Sequence, residues 1–222
     1  MYHRPLGVAS ATEQRTGGWR AVLSNASAYA LLQRAIGSER SYTRFVDEFM
    51  RPRPGDRVLD IGCGPGEVLR FLPDVRYVGI DISPEYIEAA RQRFGDAAEF
   101  QCADVRSADV PDEEFDIVLV MGVIHHLDDD GARSLFELAS RALKDGGRMV
   151  ASEAVWTEPQ HPFARWMNKR DRGANIRTED GYRKLALESF GSVEMHVRTD
   201  LLRIPYSHLL IECGRPIRRR AA

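Results

Sequence analysis

Val58-Leu59-Asp60-Ile61-Gly62-Cys63-Gly64-Pro65-Gly66 is the stretch that decides the fold. A short apolar strand runs into a turn with glycine at every second position. Glycines after a first strand let the backbone come close to a ligand, which is how nucleotide-like molecules are usually held in alternating strand–helix chains. The spacing here is GxGxG. The dinucleotide fingerprint GxGxxG would need its third glycine at position 67, which is Glu67. A carboxylate there would also repel a pyrophosphate docked on the N-terminus of the next helix. Nicotinamide and flavin dinucleotides are therefore disfavoured.

Outward from this loop the chain alternates short apolar runs with amphipathic stretches. The pattern predicts strands over 58–61, 77–80, 99–102, 115–121 and 148–152, and helices over 67–72, 84–94 and 130–143. Ser83 before Pro84 reads as an N-cap with proline in the first helical position. Asp128-Asp129-Asp130 puts negative charge at the positive end of the next helix, and Lys144-Asp145-Gly146-Gly147 reads as a helix stop. Such alternation implies an α/β fold, a doubly wound, mostly parallel sheet with helices on both faces. Further on, Thr178 is placed to cap a helix over 179–190 ended by Gly191. Strands over 193–197 and 208–213 fit a reversed pair at the sheet edge.

Before the first strand, Val22, Tyr29, Leu32, Ala35, Phe45, Val46 and Phe49 recur at helical spacing. The expected organisation is a mobile segment over 1–18, a helical cap over 19–50, one domain over 51–215, and a loose basic tail over 216–222 containing Arg218, Arg219 and Arg220.

Carboxylates at successive strand ends narrow the ligand. Asp60 immediately precedes the glycines, Asp81 follows the second strand 21 residues on, and Asp104 follows the third. S-adenosylmethionine carries an ammonium, a ribose diol and an adenine amino group, and no phosphate. Asp60 is placed for the ammonium, directly or through water; Asp81 for both ribose hydroxyls; Asp104 for the adenine amine. Ile82 and Val105 are apolar neighbours suited to the adenine faces. Three acids at three consecutive strand ends are more specific than the glycines alone.

On these residues the chain resembles the class I S-adenosylmethionine-dependent methyltransferases. Residues 58–66 look like motif I of that family, Gly79-Ile80-Asp81-Ile82-Ser83 like motif II, and Asp104-Val105 like its adenine-contacting motif. Phe115-Asp116-Ile117-Val118 through Ile124-His125-His126-Leu127 resembles the fourth-strand motif, and Leu143 to Arg148 the turn into the fifth strand. The resemblance implies a seven-stranded sheet of order 3-2-1-4-5-7-6 with the last strand antiparallel. It implies S-adenosylmethionine as cofactor, held by Asp60, Gly62, Cys63, Gly64, Asp81, Ile82, Asp104 and Val105, with Met121 and Gly122 near its methionine end.

Methyl transfer from a sulfonium needs mainly alignment, because the leaving thioether is neutral. An oxygen or nitrogen acceptor can also need a base, and His125 and His126, just past the fourth strand, are the candidates. The competing reading makes them structural. His125, His126 and Asp128 are metal-ligand types at a spacing that matches no recognised framework, so no metal is expected. Arg165, Lys169, Arg170, Arg172 and Arg177, interleaved with Trp166, read either as a clamp for an anionic acceptor or as a solvated basic loop on a buried Trp. Arg172, Arg177, Tyr29 and Tyr206 are the substrate-binding candidates.

The 222 residues are 43% hydrophobic and 29% charged with net charge -2, an ordinary soluble composition. Nothing in it draws the chain to nucleic acid or an anionic membrane. No apolar run is long enough to cross a bilayer, and residues 1–16 lack the apolar core of a signal peptide. Cys63, Cys102 and Cys213 are too scattered for a disulfide framework or a zinc motif, so a cytoplasmic setting is expected. The fourth strand ends Met121-Gly122-Val123-Ile124, without the Asx/Ser-Pro-Pro-aromatic pattern of enzymes that methylate base amino groups. The expected partner is a small-molecule acceptor, not nucleic acid or membrane, bound by a monomer or homodimer. Two alternatives remain: a cofactor bound without methyl transfer, and a macromolecular acceptor.

Overall fold

A computed structural model describes residues 38–171 and 173–218. The expected mobile segment, most of the helical cap, Tyr29, Arg172, Arg219 and Arg220 lie outside the described residues.

The chain begins its described course with α1 (Ser38–Phe45), which continues as a π-type turn over Val46–Met50 and stops where Arg51 turns left-handed. Strands β1 (Arg57–Ile61), β2 (Arg76–Asp81), β3 (Glu99–Cys102) and β4 (Phe115–Met121) follow, with α2 (Pro84–Phe94) between β2 and β3. Then come α3 (Asp129–Ala142), β5 (Leu143–Trp156), α4 (Pro162–Arg170), β6 (Arg177–Thr178), α5 (Glu179–Ala186), β7 (Phe190–Arg198) and β8 (His208–Pro216).

The sheet runs β3-β2-β1-β4-β5-β8-β7, with two-residue β6 attached to β5 off this path. β1 to β5 pair in parallel, whereas β8 is antiparallel to both β5 and β7. Setting aside β6, this is the expected 3-2-1-4-5-7-6 order with an antiparallel last strand.

Period-two side-chain alternation divides the core between the two faces of the sheet. Leu59, Ile61, Val118, Val120, Leu209 and Ile211 pack on one face with Leu135, Phe136 and Ala139 of α3 and Tyr182 of α5. Val58, Ile117, Leu119 and Leu210 pack on the other with Phe45, Val46 and Met50, and with Ile87 and Ala90 of α2. Both faces of β4 are covered beyond Asp116, so residues 117–121 read as one continuous apolar run. Each of its fully buried aliphatics contributes roughly 1.5–3 kcal/mol of transfer free energy.

The two expected caps form, and Asp128, expected only as negative charge at a helix start, acts as a third. Ser83, Asp128 and Thr178 accept from the N–H of Tyr86, Gly131 and Gly181 respectively. Several boundaries differ from expectation. The helix expected over 67–72 is one 3-10 stretch, Glu67–Phe71, because Leu72 is extended (ψ 148°) ahead of Pro73. β5 is much longer than 148–152. The Lys144–Gly147 segment is a bulge inside it, where the β4 register jumps from Phe115↔Leu143 to Ile117↔Arg148. α5 ends at Ala186, and β7 already begins at Phe190. Arg218 does not hang loose: its guanidinium donates to Ser140 O (2.6 Å) and Leu143 O (2.7 Å).

Candidate active site

Four adjacent strands, β3, β2, β1 and β4, end at one level, and the residues read as cofactor ligands stand at those ends. The glycine loop is pinned there by backbone bonds from Gly62 N and Cys63 N to Ile80 O (2.7 and 3.0 Å). Asp81 completes the clamp. One carboxylate oxygen accepts from Gly64 N (2.9 Å), the other from Ser83 N (2.8 Å), which fixes the group while leaving each oxygen further accepting capacity.

Gly62 and Gly64 are needed for different reasons. Gly62 has φ +76°, and a Cβ there would lie 2.3 Å from Cγ2 of Val123, so the loop touches the segment after β4. Gly64 has φ +53°, yet a Cβ would meet nothing within 4 Å: its backbone borders open space beside Asp81. An acidic group with spare acceptors, bare backbone and free volume fits a ribose-bearing ligand.

The neighbouring candidates sort by exposure. Ile82 is 68% exposed, an unusual apolar surface for a residue at the edge of a crevice. Asp104 is half-buried and accepts from Arg106 N (2.8 Å) in a tight turn. Val105 does not share the Ile82 surface: it packs on the core face that includes α3 and lines a groove with Ser134 and Leu138. Met121 and Gly122 are half-buried at the end of β4, and Gly122 N donates to Ser152 O (2.9 Å). Cys63 is buried, with its thiol against Gly79.

Asp60 is more deeply placed than its sequence position suggested. It is 3% exposed, and its carboxylate accepts from the Tyr77 hydroxyl (2.5 Å). Burial raises its pKa to about 7, although the Tyr77 hydrogen bond opposes the shift. A cation arriving beside it would favour the ionised form.

At the end of β4 the 3-10 turn Ile124–His126 presents the two histidines in different settings. His125 is 6% exposed and His126 is exposed, with ring centroids 4.2 Å apart. Buried Glu153 on β5 organises this turn. Its Oε1 accepts from Val123 N (3.0 Å) and Ile124 N (2.9 Å). Its Oε2 accepts from His125 N (3.4 Å) and faces His125 Nδ1 at 2.6 Å. A carboxylate so used is an acceptor, which assigns the Nδ1 proton to His125. His125 Nε2 faces Asp171 Oδ1 at 3.5 Å. Burial pulls the His125 pKa down, but the bonds to Asp171 and Glu153 outweigh it and lift the value to about 9. That corrects the expectation for His125: a ring holding its proton to this pH, with both nitrogens facing carboxylates, is not poised as a neutral-pH base.

Arg177 is corrected as well. Its guanidinium donates to Asp129 Oδ1 twice (3.1 and 2.8 Å) and to the carbonyls of Ile124, Asn175 and Leu127 (2.9–3.1 Å). Those bonds occupy all five of its donors, so it braces the histidine turn and has none left to clamp an acceptor. Asp128 likewise turns away from the histidines to cap α3 and pair with Arg106 (3.0 Å). The basic cluster lies partly on α4, where Trp166 is 46% exposed under Arg170 (4.6 Å), not a buried anchor; buried Ala164 and Asn168 hold that helix.

Tyr206 is half-buried and meets His208 edge-on at 4.8 Å. Burial, then the charges of Asp171 and Glu153, push its hydroxyl well above the usual tyrosine range. It therefore belongs to the same end of the sheet as His125.

Glu153, Asp171 and Tyr77 were missed from sequence. Glu153 had a signal: it is the lone charge in the run Met149-Val150-Ala151-Ser152-Glu153-Ala154-Val155. Asp171 is an acid inside the basic run Lys169-Arg170-Asp171-Arg172, and nothing in that spacing ties it to His125.

Residues 58–147 match the methyltransferase domain family. Phosphoethanolamine N-methyltransferase 1 of Arabidopsis thaliana is 31% identical over 174 residues, covering 75% of this chain and 35% of that protein. The 27-O-demethylrifamycin SV methyltransferase of Amycolatopsis mediterranei is 36% identical over 126 residues, 52% of this chain and 46% of that one. The chain thus spans between about a third and a half of these curated relatives. Among solved structures, phosphoethanolamine N-methyltransferase 2 of Haemonchus contortus, in complex with phosphomonomethylethanolamine and S-adenosylhomocysteine, superposes with TM-score 0.69 at 16% identity, covering 90% of this chain and 59% of that one. The strand order, the glycine loop and the domain match agree, and residues 58–147 form a methyltransferase domain of the class I, S-adenosylmethionine-dependent type.

Proposed function

We propose that this protein transfers a methyl group from S-adenosylmethionine to a small-molecule acceptor. The observation that carries the reading is the Asp81 carboxylate, fixed by Gly64 N and Ser83 N beside the open face of Gly64 and the exposed Ile82. Asp81 would accept the ribose hydroxyls, Ile82 would cover an adenine face, and Asp104 would accept the adenine amine. Buried Asp60, aided by Gly62, Gly64, Met121 and Gly122, would hold the methionine end. When bound, the cofactor supplies a methyl group activated by positive sulfur.

The chain's own contribution is then alignment. The histidine turn, locked by Glu153 and Arg177, forms a rigid wall past β4. His126, exposed on that wall, is the group we place nearest the acceptor, with Tyr206 beside Asp171 and Glu153. A small acceptor is supported by the near-neutral charge and by relatives named for phosphoethanolamine and a rifamycin. No described helix is long and apolar enough to cross a membrane.

Calorimetry with S-adenosylmethionine and S-adenosylhomocysteine tests the cofactor, with Asp81→Ala expected to weaken both strongly. Absence of affinity in the wild-type chain would end the proposal. Labelled donor mixed with fractionated extract tests the acceptor class: label in small metabolites is expected, and label confined to protein or RNA refutes the small-molecule part.

A further inference from the structure

His125 Nε2 and Asp171 Oδ1 face each other at 3.5 Å. With the Nδ1 proton committed to Glu153, Nε2 of the neutral ring and Asp171 Oδ1 would face each other with electron pairs, and a cation between them relieves that repulsion. A proton on Nε2 is one solution, and a metal ion is the other. The third group at this point decides which the site is built for. His126 brings a second imidazole alongside, and one ligand atom each from His125, His126 and Asp171 lies within 4.8 Å of the others.

We propose that His125 Nε2, His126 and Asp171 form a binding site for one divalent first-row transition ion, with Glu153 as the outer hydrogen-bond partner of His125. Two imidazoles and one carboxylate suit Zn(II), Co(II), Fe(II) or Ni(II) better than Mg(II) or Ca(II). Tetrahedral ligation at ordinary Zn–N and Zn–O lengths separates ligand atoms by about 3.3 Å, so the 3.5 Å gap needs almost no adjustment. The carboxylate–histidine arrangement behind the ligand is the usual way a metal-bound imidazole has its tautomer and orientation fixed. His126 and Asp171 are exposed, which leaves the ion a route in.

Asp171 is held in place independently of any ion. Gly173 N donates to Asp171 Oδ1 (2.6 Å), and Asn175 N donates to His125 O (3.1 Å). A Cβ on Gly173 would fall 2.1 Å from His125 Cδ2, so this backbone is pressed against the imidazole. Three protein ligands leave a fourth position of a tetrahedral ion for water or an acceptor oxygen. The site stands whether or not methyl transfer is the reaction, since binding is read without turnover.

The test uses the untagged full chain, stripped with chelator and titrated with ZnCl2 by calorimetry and with CoCl2 by visible absorption. One equivalent should bind, with the absorption of a four-coordinate Co(II) site. His126→Ala and Asp171→Asn alter exposed residues, and circular dichroism checks their folding. Each should remove the saturable site, Glu153→Gln should weaken it about 10- to 100-fold, and Asp128→Asn should leave it unchanged. Wild type that binds neither ion, or binds no better than His126→Ala and Asp171→Asn, overturns the proposal and leaves the proton as the cation in the gap.

Discussion

Removing the Glu153 carboxylate should unfasten the segment after β4. The side chain is fully buried, and four N–H groups are directed at it: the backbones of Val123, Ile124 and His125, and His125 Nδ1. In Glu153→Ala all four lose their acceptor in a place water reaches poorly. Each orphaned donor costs about 1–3 kcal/mol, but the His125 amide bond is long at 3.4 Å and weighs least. Breaking a buried ion pair by deleting one partner costs about 3–5 kcal/mol, so we expect a total near 4 kcal/mol. Glu153→Gln keeps one oxygen for Val123 and Ile124. Its amide N–H donates to Nδ1 once the imidazole changes tautomer and places its proton toward Asp171. That variant should lose about 2 kcal/mol. At about 2–4 °C per kcal/mol for a chain of this size, the alanine variant should melt roughly 8–16 °C below wild type. Urea melts at constant m-value measure both losses. A loss below about 1 kcal/mol for alanine, or equal losses for alanine and glutamine, would refute the view that four directed donors make Glu153 an anchor.

Gly62→Ala should destabilise by about 2 kcal/mol and weaken S-adenosylmethionine binding, because φ is +76° and the methyl would meet Val123; adding Val123→Ala should restore part of the loss, as thermal melts and calorimetry will show. Arg177→Ala should lower stability by about 2–4 kcal/mol through its lost carbonyl bonds; unchanged melting with weakened acceptor affinity would return Arg177 to the role of substrate clamp. Among the described residues His208 Nδ1 is buried without a hydrogen-bond partner, beside Tyr206, and burial lowers its pKa to about 4. The unfolded chain therefore binds the proton more readily. No stability is lost above about pH 6.5, and about 3 kcal/mol goes as pH falls from there to 4. Melts of His208→Phe should show a shallower fall across that window, and an unchanged slope would exclude His208.

How far the sequence could be read follows from the range of the interactions involved. β1 and its glycine loop, β4, and the caps at Ser83, Asp128 and Thr178 depend on residues within a few positions of one another, so periodicity and capping chemistry reach them. Asp81 and Ile82 are placed by the strand that precedes them. Arg177 looked like a spare cation because carbonyl acceptors leave no mark in a sequence; Ile124 O and Leu127 O reach it only after the chain has passed through α3 and β5. Asp171 meets His125 across a separation no local pattern encodes. The strand read over 148–152 stopped one residue short of Glu153, since a carboxylate normally ends a buried run. Its four donors are what allow it inside.

One backbone segment joins both halves of the site. Val123 blocks any Cβ on Gly62, so the glycine loop rests against the residues after β4. Val123, Ile124 and His125 in turn donate to Glu153, and His125 reaches Asp171. β4 and β5 are neighbours in register, Met121 opposite Ser152, so Glu153 stands just past the last paired residue of β4. The offset between the cofactor loop and the histidine wall is thereby set by strand spacing of about 4.8 Å, a dimension of the sheet and not of any loop. Alignment is the main demand of an in-line methyl transfer, and an error of about 1 Å can cost 100-fold in rate. A carboxylate tying the turn to β5 is a stiffer answer to that demand than loop packing alone. Substitutions at Glu153 should consequently disturb cofactor affinity as well as the histidine wall, whereas substitutions on exposed α4 should leave cofactor affinity alone.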